Sequence, residues 1–329
     1  MLTSLTSVQE GKEGLRYSGS MGIRDAFGQF LLEEAAANPK LVVLDGDLSS
    51  STRTILFGRK YPDRFFNMGV AEQDMIGTAA GLAMAGMTPL VSSFTIFLIG
   101  KPWEQIRQSV CYMNLNVKLV SSHAGITVGP DGGSHQCIED IALMRVLPNM
   151  KVIVPADGVE ARSVFRAAVN HHGPVYIRGA RAKFPIVMAP DYQFQLGIAP
   201  LLRAGDDATI IACGLMVTKA LEAAFSLARE GISVRVINMS SLKPLDEDAI
   251  VQAAGETGAL VTAEEHSIFG GLGSAVAQVL GQHCPVPLEI VAIQDKFGTS
   301  GEPDELLVHY GLTEKEIAAK VKQVISRKR

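Results

Sequence analysis

Three groups of residues in this chain combine types and spacings suited to chemistry. The first is MGVAEQDMIG, where Glu72 stands between the end of a strand and the start of a helix, flanked by Met68, Val70 and Met75. A carboxyl there either complements the helix dipole or keeps its proton, since burial disfavours the charged form. Asp74 and Gln73 are also placed for the first role. The second group is SSHAGITVGPDGGSHQ, a glycine-rich loop that lets backbone approach a ligand closely and carries His123, Asp131 and His135. Its histidines suit polarisation and proton transfer near neutral pH. As a metal site the trio has a spacing that matches no common zinc pattern. The third group is basic. Arg24 at a helix start and Arg178 just past VYI, together with Ser49, Ser50 and Ser51 after another strand, would suit a small anion such as a sugar phosphate.

Two further motifs read as structural. Gly270–Gly273 (GGLG) precedes a helix and fits close helix–strand packing better than a phosphate turn. Asp45-Gly46-Asp47 lacks the trailing asparagines of a metal–diphosphate motif.

The elements that must position these groups alternate. Helices are expected over 24–37, from Glu72, and over 103–113, 138–147 and 159–169. Strands are expected over 41–44, 65–68, 89–94, 117–121, 152–154 and 175–177. A Pro- and Gln-containing stretch without helical period follows, and then strands over 208–213, 234–237, 260–263 and 288–293 separated by helices. Such alternation predicts an α/β fold of two doubly wound, mostly parallel domains, in which ligands meet the carboxyl ends of the strands. The expected divisions are a polar lead-in over 1–18, a first domain over 19–185, a linker over 186–204 and a second domain over 205–329.

Composition narrows the function. The 329 residues carry 30 Lys+Arg against 34 Asp+Glu, so the basic excess of a nucleic-acid binder is missing. At 47% hydrophobic and 19% charged the chain is not a disordered one. The four cysteines, Cys111, Cys137, Cys213 and Cys284, are too far apart in sequence for a C-x-x-C pair, and the N-terminal run has no signal-peptide pattern. Reduced thiols and a cytoplasmic location are expected. Residues 75–100 contain no charge, yet four glycines and Pro89 divide them into a small-residue helix and a buried strand, so no membrane span is expected.

Taken together, these motifs resemble the transketolase family, specifically the C-terminal half of an enzyme split between two polypeptides. The resemblance runs from Gly22 to the C-terminus. GVAEQDM is similar to the family's cofactor-activating glutamate motif, and SHAGITVGPDGGSHQ leading to IEDIALMR and VIVPAD to its active-site loop. GDLSSS and IRDAFG also match, as do LKPLD, EEH, GGLGSAVA and FGTSG in the second half. The resemblance implies a thiamine diphosphate pyrimidine-binding domain followed by a transketolase C-terminal domain. It implies that Glu72 bonds the aminopyrimidine, that Phe94 stacks on that ring with Phe97 beside it, and that Asp47 contacts the cofactor. It also implies that Asp131 and His135 bind the donor ketose hydroxyls, with His135 catalytic beside Glu72. His123, Arg24, Ser51 and Arg178 would hold the terminal phosphate of a sugar phosphate.

There are two departures from the pattern. Gly100 stands where the family commonly has a tyrosine, so part of the pyrimidine pocket is filled differently. The family's diphosphate- and Mg²⁺-binding domain is not in these residues, which implies an N-terminal partner subunit and an α2β2 assembly. The alternatives are the β subunit of a 2-oxo acid dehydrogenase and a non-catalytic protein of the same fold. The His123/Asp131/His135 loop and the basic group speak against the first, and the intact Glu72 and loop histidines against the second.

Overall fold

The computed structural model describes residues 1–328 and has two parallel sheets flanked by helices. The first sheet runs, edge to edge, Ser241–Lys243, Lys151–Ile153, Val175–Ile177, Lys118–Ser122, Thr88–Phe94, Leu41–Asp45 and Phe65–Asn67. All its pairings are parallel except the outermost, where Ser241–Lys243 runs antiparallel to Lys151–Ile153. The second sheet runs Leu201–Arg203, Val234–Asn238, Ala208–Ala212, Leu260–Ser267 and Leu288–Ile293. Strands such as Leu41–Asp45, Thr88–Phe94 and Ala208–Ala212 are buried at every residue, as expected of strands covered on both faces.

Several boundaries differ from the sequence reading, each for a physical reason. Leu201–Arg203, inside the expected linker, pairs antiparallel with Val234–Asn238 and closes that sheet edge. Ser241–Lys243, from the second half, completes the first sheet, so the two halves share a strand. The lead-in is tied down: Thr3 and Ser7 donate backbone hydrogen bonds to Leu202 and Val187, and Val8 enters the core. The uncharged stretch separates into the helix Glu72–Met84 and the strand Thr88–Phe94. Among the described residues, no helix is long and apolar enough to cross a membrane.

The expected helix over 103–113 is α-helical only at Trp103–Gln105 and continues as a wider π-helical turn over Ile106–Tyr112; a second such turn covers Ile96–Gly100. Insertions of this kind are frequent at functional sites. The helix Gly158–Asn170 begins at a buried cap, Asp157. Its Oδ1 accepts from the Val159 and Glu160 amides, and its Oδ2 from those of Val187 and Met188. One carboxylate thereby fixes a helix start and the exit of the chain towards the second half.

Candidate active site

The carboxyl ends of Leu41–Asp45, Phe65–Asn67, Thr88–Phe94 and Lys118–Ser122 point to one edge of the first sheet, and most of the singled-out residues gather there. Asp45 organises the first turn. Buried completely, it accepts from Leu48 N, Thr52 Oγ1 and Thr54 Oγ1, each at 2.7 Å. Burial nevertheless pushes its pKa upward. The turn so formed holds Asp47 in the left-handed region (φ 64°), exposed and accepting from Asn67 Nδ2 at 2.9 Å.

Glu72 is the first residue of its helix and only 3% exposed. No side chain caps this helix start, so the free amides of the first turn favour a negative charge there. The direct partner of Glu72 is Lys101, whose Nζ lies 3.1 Å from Oε2. The same ammonium sits 5.0 Å from the ring centroid of Phe97, so one cation touches both a buried carboxylate and an aromatic face. Val70, Ala71, Gln73 and Asp74 line the rest of this cleft.

Four rings form a cluster beside it. Phe94 stacks on His123 with centroids 3.7 Å apart and planes inclined by 20°, and lies 6.2 Å from Phe97. His135 meets Phe97 edge-on at 5.3 Å and places its Nδ1 3.0 Å from Ser134 Oγ. Phe94, which the resemblance casts as the stacking ring, is nearly buried and covered by His123, whereas Phe97 is partly open, so the aromatic side chain left accessible is Phe97. His123 holds a positive φ of 60° and shares a hydrogen bond with Ser122 Oγ at 2.8 Å. Burial, reinforced by Arg24, Arg181 and His135, lowers its pKa to about 3, so the ring is neutral. Asp131 is exposed on the same glycine-rich loop. His123, Asp131 and His135 do not make a metal site; no group of three potential ligands exists among the described residues.

Arg24 donates to the Ser51 carbonyl at 3.1 Å, so Ser51 contributes its backbone to that contact. Burial and the positive charges of Arg53 and Arg181 lower the pKa of Arg24. Arg178 does not join this group. Its Nε lies 2.8 Å from Asp140 Oδ2, its Nη2 donates to the Glu265 carbonyl, and it is 5% exposed. Burial opposes its charge, but Asp140, Glu265 and Tyr176 outweigh that and raise its pKa. The arginine whose field reaches both His123 and Arg24 is Arg181, three residues on, which donates to Val128 O at 2.7 Å and was missed in the sequence. The fold separates the two arginines by giving Arg178 to Asp140 and the Glu265 carbonyl.

The second half clamps the glycine-rich loop. Glu265 Oε1 accepts from Thr127 N at 2.7 Å, and Gln136 Nε2 donates to Thr299 O at 2.9 Å. Gly125, at φ 75°, lies so close to Glu265 that a Cβ would stand 2.3 Å from its Cδ. Glycine is required there twice over, for the dihedral and for the space.

Comparison with known proteins agrees with this arrangement. Residues 19–186 match the family described as "Transketolase, pyrimidine binding domain" and residues 197–317 "Transketolase, C-terminal domain". The chain is 45% identical over 309 residues to a putative transketolase C-terminal section of Methanocaldococcus jannaschii, covering 93% of this chain and 97% of that protein. It is 44% identical over 306 residues to the 6-deoxy-6-sulfo-D-fructose transketolase subunit SqwH of a Clostridium species, covering 93% and 95%. A solved structure described as a split gene transketolase, inactive beta4 tetramer, superposes with TM-score 0.87 at 49% identity, over 94% of this chain and 100% of that one. Sequence, fold and the placement of these side chains thus lead to one assignment: the chain belongs to the transketolase family, as a C-terminal section made of the pyrimidine-binding and C-terminal domains.

Proposed function

We propose that this chain is the pyrimidine-binding subunit of a two-chain, thiamine diphosphate-dependent transketolase that moves a two-carbon ketol unit from a ketose phosphate to an aldose phosphate. The reading is carried by the slot bordered by the buried Glu72 carboxylate and the Phe97 face, which a single ammonium touches at once. An aminopyrimidine needs the same two partners, a flat surface to stack on and a carboxyl to bond its ring nitrogen, and the residues present fit it. When bound, thiamine diphosphate supplies the nucleophilic carbon and accepts the electrons of the bond that is cleaved.

The chain's own residues then have defined tasks. Glu72 holds a proton at the ring nitrogen, and Phe97, backed by Phe94, orients the ring. Asp47 contacts the cofactor from its neighbouring turn. His135 and Asp131 hold the hydroxyls of the donor, with His135 placed to move a proton. His123, kept neutral, acts as a hydrogen-bonding ring and not as a cation. Arg24, Ser51 and Arg181 receive the terminal anion, while Arg178 positions the loop that carries the histidines. One relative is named for 6-deoxy-6-sulfo-D-fructose, which makes sulfonate the alternative to phosphate as the terminal group.

Among the described residues no group of three or more His, Cys, Asp or Glu could hold Mg²⁺ and, with it, the diphosphate it bridges to the protein. We place both on a partner chain carrying the diphosphate-binding domain, in an α2β2 assembly. The test is reconstitution with such a partner, the coenzyme and Mg²⁺, followed by a screen of donor and acceptor sugars. Ketol transfer that requires every component supports the proposal. Turnover of pyruvate with a lipoyl acceptor, or no transfer at all, overturns it.

A further inference from the structure

Lys101 does not belong to any motif singled out in the sequence, yet it touches both walls of the slot. Its ammonium makes both contacts that the aminopyrimidine would make, 3.1 Å from Glu72 Oε2 and 5.0 Å from the Phe97 centroid. The two partners of the ion pair differ sharply in exposure, at 49% for the lysine side chain and 3% for the carboxylate. The lysine therefore has a short way out to water, whereas the carboxylate has none.

The backbone delivers the lysine to this place. The π-helical turn Ile96–Gly100 ends immediately before it, and Lys101 itself lines the cleft with Val70, Ala71, Glu72, Gln73 and Asp74. Lys101 adopts φ −67° and ψ −49°, a helical conformation that the following Pro102 disfavours. Its carbonyl accepts from Gln73 Nε2 at 3.4 Å, which ties it a second time to the Glu72 helix. A buried carboxylate left without a partner is costly, and the Lys101 ammonium relieves that cost.

We propose that Lys101 is a placeholder gate: its ammonium fills the space between Glu72 and Phe97 and swings out to solvent as the aminopyrimidine enters. This rests on the reading of that slot as the pyrimidine site. Lys101 is a positioning residue; its effect falls on coenzyme entry and not on ketol transfer. It competes with the coenzyme for one carboxylate and one ring face.

The experiment uses the complex with the partner chain, with 5-fluorotryptophan incorporated only into this chain. Trp103 is its single tryptophan, two residues from Lys101, and its Nε1 is pinned to Leu143 O at 3.0 Å. In the free chain, K101M and E72Q should shift the Trp103 fluorine signal alike, because both break the same pair. In the complex, thiamine diphosphate should move the wild-type signal towards the K101M position. K101M should take up the coenzyme roughly three- to tenfold faster, the worth of one half-exposed ion pair and one cation–π contact. K101R, which keeps the charge, should behave as wild type and guards against a folding defect. Unchanged or slower uptake by K101M, with E72Q still weakening coenzyme binding, overturns the gate and leaves the slot standing. Coenzyme binding that E72Q leaves intact removes the slot itself.

Discussion

Arg178 donates from Nε to Asp140 Oδ2 at 2.8 Å, and at 5% and 0% exposure the two charges face each other out of reach of water. Tyr176 OH donates to the same oxygen at 2.6 Å, and Arg178 Nη2 reaches the Glu265 carbonyl at 2.9 Å, so the pair joins the two halves of the chain. Removing one partner strands the other charge. Asp140→Leu should lose about 3–5 kcal/mol in urea unfolding, and a double variant with Arg178→Met should recover much of it.

Arg178 and Arg181 should separate cleanly by assay. Arg181→Ala is expected to raise the KM for the phosphorylated or sulfonated sugar by roughly ten- to a hundredfold, the worth of one charge-assisted hydrogen bond, with little change in stability. Arg178→Ala should do the reverse and lower the unfolding free energy first. Matching effects on both properties in both variants would contradict the division of roles.

Glu72→Gln should leave the fold close to wild type, since its ion pair with a half-exposed lysine is worth about 0–1 kcal/mol. Activity of the reconstituted complex should fall by at least about a hundredfold, the lower range for a positioned acid or base. Wild-type turnover by this variant would remove the proposed mechanism.

Gly125→Ala forces a left-handed dihedral on alanine and drives its Cβ into Glu265. Backbone strain and overpacking together should cost about 2–4 kcal/mol. A crystal structure of the variant should show the 125–136 loop displaced from Glu265 and Thr299.

His123 gives a pH dependence with a definite sign. Its pKa is about 3 when folded against roughly 6.5 unfolded. Between those values the unfolded chain binds a proton that the native ring refuses, so stability falls as pH drops from about 6.5 towards 3. At pH 4.5 the loss should be about 2–3 kcal/mol. Comparing denaturation of wild type and His123→Gln isolates this share. Glu160, raised to about 7 by burial, acts in the opposite sense: its stabilising contribution is lost as pH rises through 7, in both proteins.

The sequence was most legible where burial and period agree. Fully buried, mostly apolar strands such as Leu41–Asp45 and Ala208–Ala212, and the strand–turn–helix setting of Glu72, follow from local pattern alone. What escaped depends on contacts remote in the chain. Ser241–Lys243 has no strand signature of its own and forms because Lys151–Ile153 offers an open edge. The choice between Arg178 and Arg181 turns on where Asp140 lies, and the partner of Glu72 sits 29 residues away, across a π-helical turn that no periodicity announces.

The borrowed strand Ser241–Lys243 also decides how this polypeptide can be cut. A fragment ending near residue 190 would expose the bare ladder of Lys151–Ile153, an invitation to sticky edge-to-edge growth. Its discarded remainder would carry a strand with nowhere to lie. The two halves are therefore inseparable as modules, however distinct they look as sheets, and any trimming or swapping has to move them as one piece.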